Sequence, residues 1–226
     1  MAMDKHIFNE EQLKRAEGII RNPLAKLSSL SSSELRDLAV VCCYYSGKIE
    51  GNTYTYVETE TLLKDGITPE KRYEDAKMLK NLHNTFVGEL EYIHKGKNQE
   101  QINERTLFRI HSTISNGLVS NREDIMQKLG TILFEQEQYQ NPLERAVFLH
   151  CNVARIHPFI DGNKRTFLML ESVVMMNADL IPVYSAKDAD ILHYRRGLIA
   201  FYETGDYTQY ADYFLGRLEE RLKEIE

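Results

Sequence analysis

Helix-start and helix-stop signals recur along this chain, with apolar residues three and four apart between them, and that pattern points to an all-α fold. Ser31 stands three residues before Glu34, the spacing of a capping box. Leu35, Leu38, Ala39, Val41 and Cys42 follow at helical spacing up to a Gly51-Asn52 stop. A short helix is predicted over about 57–64, stopping near Gly66. Thr68-Pro69 predicts the N-cap and first residue of a long helix whose stripe of Ala76, Leu79, Leu82, Phe86, Leu90 and Ile93 runs to Gly96. Asn103 caps a helix carrying Leu107, Ile110, His111 and Ile114, ended by Gly117. Asn121 predicts a short helix over 122–129, broken by Gly130. Thr131-Ile132-Leu133-Phe134 then has the β-branched and aromatic content of a strand. Asn141-Pro142 opens a helix with Ala146, Val147, Leu149, Val153 and Ala154 inward, and three more are predicted, to about Ala178 and over 187–202 and 207–225.

A chain of 226 residues has room for one sizeable domain with a real core. The net charge of −6 argues against general nucleic-acid binding, which wants a basic surface. No apolar run has the length of a membrane span, and Met1-Ala2-Met3-Asp4-Lys5-His6 lacks the pattern of a secretory signal. Cys42, Cys43 and Cys151 read as small buried residues, not as a disulfide framework or a metal site, so a reducing, ATP-containing cytoplasm fits best. There is no internal repeat, low-complexity tract or long linker, which predicts one compact unit.

The stretch His157-Pro158-Phe159-Ile160-Asp161-Gly162-Asn163-Lys164-Arg165 carries the chemistry. A helix starting at Gly162-Asn163 offers unpaired backbone N–H groups at its positive end, and Lys164 and Arg165 add two cations, which makes a phosphate cradle. Asp161 offers an oxygen suited to Mg²⁺, and His157 an imidazole that can take a proton near neutral pH. Each residue alone has an ordinary explanation as a cap, a turn or solvated surface. Turn formation, however, does not ask for His-Pro-Phe, Asp, Asn and Arg together. The combination implies nucleotide-dependent transfer of a phosphorus-centred group onto a hydroxyl.

The string resembles the Fic family signature HPFx(D/E)GN(G/K)R at each specified position. A second string, Ser46-Gly47-Lys48-Ile49-Glu50-Gly51-Asn52, resembles the inhibitory motif (S/T)xxxE(G/N) found upstream of many Fic cores. The resemblance runs from about Tyr45 to Tyr213 and is sharp at the two motifs. It implies a Fic-like helical bundle with a short β-hairpin flap before the motif helix, an N-terminal region over 1–95 carrying the inhibitory helix, and a catalytic core over 96–226. It implies AMP transfer from ATP to a Tyr, Ser or Thr hydroxyl of a target protein, or of the chain itself. In that scheme His157 is the general base, Asp161 holds Mg²⁺, and Gly162, Asn163, Lys164 and Arg165 hold the nucleotide. Glu50 blocks productive binding, with Ser46 helping to hold its helix. Ile132, Leu133 and Phe134 would form the target-binding flap, or else a buried edge segment. Phe159 anchors the loop, and His111 and His150 read as core or supporting residues rather than metal ligands.

Two departures qualify the resemblance. Leu168 stands where many adenylyltransferases have another Arg, the usual partner of the inhibitory Glu, so Arg165 or Lys164 is left to pair with Glu50. Lys164, where many have Gly, is shared with Doc-type relatives that transfer a γ-phosphoryl group. That leaves kinase-like transfer as an alternative, and a non-enzymatic nucleotide-binding module as another. The target, the base pocket and the oligomeric state are not legible.

Overall fold

The computed structural model describes residues 5–94, 102–116, 126–159, 161–185 and 187–225. Among them lie ten α-helices: α1 Glu10–Arg21, α2 Ser32–Ile49, α3 Tyr56–Asp65, α4 Tyr73–His94, α5 Glu104–Ile114, α6 Met126–Glu135, α7 Pro142–Ile156, α8 Asn163–Asn177, α9 Asp188–Thr204 and α10 Thr208–Ile225. The one β feature among the described residues is an isolated antiparallel bridge between Lys26 and Leu180. Four helices open on capping boxes, with Asn9 and Gln12 at α1, Ser31 and Glu34 at α2, Thr55 and Glu58 at α3, and Asn103 and Thr106 at α5. Each box satisfies N–H groups that the first turn leaves unpaired.

α8 is the centre of the fold. Helices α2, α4, α5 and α7 all pack on it, α7 most extensively. Its side chains are buried nearly all round, and Phe167, Leu170 and Val173 are fully buried. A helix of that kind has no solvent face to orient it and must sit inside. Burial of each such side chain contributes about 1.5–3 kcal/mol. The core cluster is continuous from Phe8 in the N-terminal segment to Leu222 in α10. No helix among the described residues is long and apolar enough to cross a membrane.

Three local expectations are corrected. Thr131-Ile132-Leu133-Phe134 is helical, lying within α6, and is neither strand nor hairpin. Leu129, Ile132 and Leu133 are buried while Phe134 is exposed, which is helical spacing, so their burial outweighs strand propensity. Gly130 does not break α6, since one glycine costs only about 1 kcal/mol relative to Ala. The Thr68-Pro69 signal does not open α4, which starts at Tyr73. There Lys71 donates to the Thr53 carbonyl at 2.7 Å, and Arg72 bonds the Asp75 carboxylate at 3.1 Å. Lys71 thereby ties the segment to the turn after Glu50, Arg72 braces the first turn of α4, and those contacts override the local proline signal. The signals at Gly96, Gly117 and Asn121 fall outside the described residues.

Candidate active site

His157 caps α7 in a left-handed conformation, φ 45° and ψ 62°. That is strained for a residue with a side chain and turns the chain sharply toward α8. His157 is exposed, and its ring stands edge-on to Phe167, with centroids 6.2 Å apart. Ile160 is outside the described residues. Asn163 closes the loop, its Oδ1 accepting from the Phe159 amide at 2.9 Å and its Nδ2 donating to the Phe159 carbonyl at 2.6 Å.

Gly162 is the N-cap of α8 at φ 75°, where L side chains are rare. A Cβ there would meet Ser115 Oγ at 3.0 Å and Arg165 Nη2 at 3.4 Å. With no side-chain cap, the first-turn N–H groups of α8 remain available to an anion.

Beneath the loop, His111 of α5 stacks on Phe159, with centroids 3.5 Å apart and planes 9° apart, and places Nε2 3.1 Å from the Asp161 carbonyl. Ser115 Oγ lies 3.0 Å from the same nitrogen. Burial, then the nearby Arg165 charge, holds the pKa of His111 below its ordinary value, so the ring under the loop is neutral near pH 7. Ser115 is a support that sequence reasoning missed, because it lies far from the motif along the chain and carries no local signal.

Arg165 is the most informative side chain. It is 1% exposed, and its Nη2 donates to Asp161 Oδ2 at 3.1 Å. Among the described residues, its Nε and Nη1 are buried without a hydrogen-bond partner. An unmet buried donor costs about 1–3 kcal/mol, more when charged, so two of them in one guanidinium define a place for an anion. Glu50, the C-cap of α2, reaches toward it. Its Oε1 lies 3.9 Å from Arg165 Nε and its Oε2 3.9 Å from Lys164 Nζ. These are ion-pair distances, too long for hydrogen bonds. Glu50 is presented by a Schellman turn in which Asn52 N–H donates to Gly47 O at 2.9 Å, Gly51 N–H donates to Lys48 O at 3.1 Å, and Gly51 takes φ 82°. Leu168 points into the core, and Ser46 Oγ is buried without an oxygen or nitrogen partner, beside the Cys42 thiol.

A cavity of about 220 Å³ opens beside His157, walled by Ile49, Phe167, Tyr194, Leu198 and Tyr202 with Lys164 at its edge. It is apolar and abuts the cradle, a setting for the flat face of a base. Asp161 is half-exposed, and among the described residues only Oδ2 of its carboxylate accepts a hydrogen bond, from Arg165. A lone carboxylate of that kind fits magnesium, which binds through one or two carboxylates together with substrate phosphates. Ile132, Leu133 and Phe134 do not form a strand edge that could pair with a target. Cys42, Cys43 and Cys151 are buried free thiols, with burial pushing Cys42 up to about 12.

The geometry thus places an uncapped helix start and a buried guanidinium in a loop between two helices, with His157 at the start of that loop. Residues 73–175 match the Fic/DOC family model. Among its relatives, the protein adenylyltransferase Fic of Drosophila mojavensis is 26% identical over 172 residues, covering 67% of this chain and 34% of that protein. The protein adenylyltransferase fic-1 of Caenorhabditis elegans is 24% identical over 179 residues, covering 66% of this chain and 34% of that protein. The chain thus spans about a third of the length of these curated relatives. Among solved structures, Fic-1 (residues 134–508) from C. elegans superposes with a TM-score of 0.78 at 20% identity, over 95% of this chain and 71% of that one. A Fic domain containing signaling protein from Bacteroides thetaiotaomicron gives a TM-score of 0.71 at 21% identity, over 94% and 95% of the two chains. These similarities establish the fold.

Proposed function

We propose that the chain transfers AMP from ATP to a hydroxyl side chain of a target protein and is restrained by Glu50. The observation that carries this reading is Arg165, buried with two unmet donors at the base of an uncapped helix N-terminus, in a loop that His157 opens. The names of the adenylyltransferase relatives agree with it. The imidazole of His157 takes the proton of the attacking hydroxyl. The hydroxyl oxygen forms a bond to the α-phosphorus, and the bond from that phosphorus to pyrophosphate breaks. First-turn N–H groups of α8 and the Arg165 guanidinium stabilise the developing charge, the preorganised term that is usually the largest. Magnesium on Asp161 would supply charge neutralisation on the phosphates.

Glu50 competes for the cations a terminal phosphate would use. Replacing it by Gly is expected to raise labelling about tenfold or more, equivalent to about 1.4 kcal/mol of relieved repulsion. Intact-mass spectrometry of the Glu50→Gly protein after incubation with magnesium and each nucleotide tests the reading, because the added mass names the transferred group. Labelling no higher than wild type would remove the restraint by Glu50.

A second reading, γ-phosphoryl transfer, is favoured by Lys164, whose ammonium stands at the cavity edge where it can change how ATP lies. ATP labelled at the α or the γ phosphorus separates the two, since label retained from the γ position alone would eliminate AMP transfer. A Glu50→Gly protein that binds nucleotide but labels nothing, itself included, would make the chain a binding module.

A further inference from the structure

His150, Glu171, Tyr194 and Tyr210 form a polar cluster within an otherwise apolar helix interface, and the transfer chemistry uses none of their polar atoms. His150 lies on α7 two turns before His157, and Glu171 on α8 six residues after Arg165. Tyr194 comes from α9 and Tyr210 from α10. Three of the four are at most 1% exposed, and Glu171 is 9% exposed. The Tyr210 hydroxyl donates to Glu171 Oε2 at 2.8 Å. His150 Nδ1 stands 3.0 Å from that same oxygen, at ion-pair distance, although too obliquely for an aligned hydrogen bond. His150 Nε2 is 3.0 Å from the Tyr194 hydroxyl. Burial pushes both phenols well up, so both keep their protons. With Tyr194 donating to Nε2, the remaining imidazole proton on Nδ1 faces the carboxylate.

Two features link this cluster to the site. Phe167 stands edge-on to both imidazoles, 6.3 Å from His150 and 6.2 Å from His157. Tyr194 is itself a wall of the cavity that His157 borders. A buried carboxylate is costly, and apolar side chains of similar volume in place of such a cluster are often neutral or stabilising. Stability alone therefore does not account for it.

We propose that His150 and Glu171 are positioning residues: they brace α7 against α8 two turns behind the loop, fixing His157 relative to Arg165, and through Tyr194 they hold the cavity wall. This rests on the loop and cavity being the nucleotide site. The test measures Mg-ATP affinity by calorimetry, together with the melting temperature, in the Glu50→Gly protein and its variants. Glu171→Gln keeps an acceptor for Tyr210 and offers a donor to the other His150 tautomer, so affinity should stay within about twofold. Glu171→Leu should weaken binding about tenfold, and Tyr194→Phe about threefold without a matching loss of melting temperature. Unchanged affinity in both, whatever the melting temperature does, would overturn the inference. If Glu171→Leu does not fold, Tyr194→Phe decides alone, and unchanged affinity there overturns it. A Glu50→Gly parent that binds no Mg-ATP overturns the nucleotide site and this inference together. Binding by the parent with indifferent variants overturns this inference only.

Discussion

Arg165 and Glu50 face each other at 3.9 Å with two guanidinium donors unmet, so neither side chain is satisfied by the protein alone. On the proposed reading, an arriving phosphate would meet donors already in place. The base should be separable from that binding: His157→Ala should lower transfer about 10²–10⁴-fold while the nucleotide dissociation constant, measured by calorimetry, stays put. Persistent transfer would reassign the base. Below the loop, His111 has its pKa depressed mainly by burial, and so does His83. A depressed imidazole binds its proton less readily in the folded state than in the unfolded one. Its contribution is therefore fully present above the unfolded value of about 6.5 and is lost as pH falls from there toward the folded pKa. Melting temperature should drop between about pH 7 and about pH 5.5, with a smaller drop in His111→Phe. An equal drop in that variant would place the sensitivity elsewhere.

At the scale of elements, close approach decides where helices lie. A Cβ on Gly197 of α9 would sit 2.9 Å from the Tyr210 Cα of α10, a backbone atom that cannot turn aside. Gly197→Ala should therefore cost about 1–3 kcal/mol despite the better helix propensity of Ala, visible as a lower denaturant midpoint. An increase in stability would show that the two helices separate freely. The helix starts at Ser31, Asn103 and Asn141 were legible because capping is local: donor and acceptor lie within a few residues of each other. The start of α4 and the helical state of Ile132–Phe134 were not. Lys71 is held by Thr53 in the turn after Glu50, and Ile132 and Leu133 by the core, so in both places distant contacts overrode local preference.

Across the whole molecule, the N-terminal segment is fastened to the motif helix by one carboxylate. Glu144, fully buried in the first turn of α7, accepts from the amides of Ile7 at 2.8 Å and Phe8 at 3.0 Å and stands 2.9 Å from His6 Nδ1. Glu144→Ala leaves those amides without an acceptor and should cost about 2–4 kcal/mol. Hydrogen exchange should rise first at Ile7 and Phe8, and unchanged protection there would show that the segment is held by packing alone. The sequence by itself determined the helical pattern, the helix start at Gly162-Asn163 and the pairing of an acidic helix end with a cationic one. Those follow from spacing along one chain and from the chemistry of the side chains. Tertiary structure alone decided that Ser115 and His111 support the loop, that Arg165 is buried with donors to spare, and that His150 meets Glu171. Such contacts join residues from different helices, and only the packing of those helices around α8 brings them within hydrogen-bond reach.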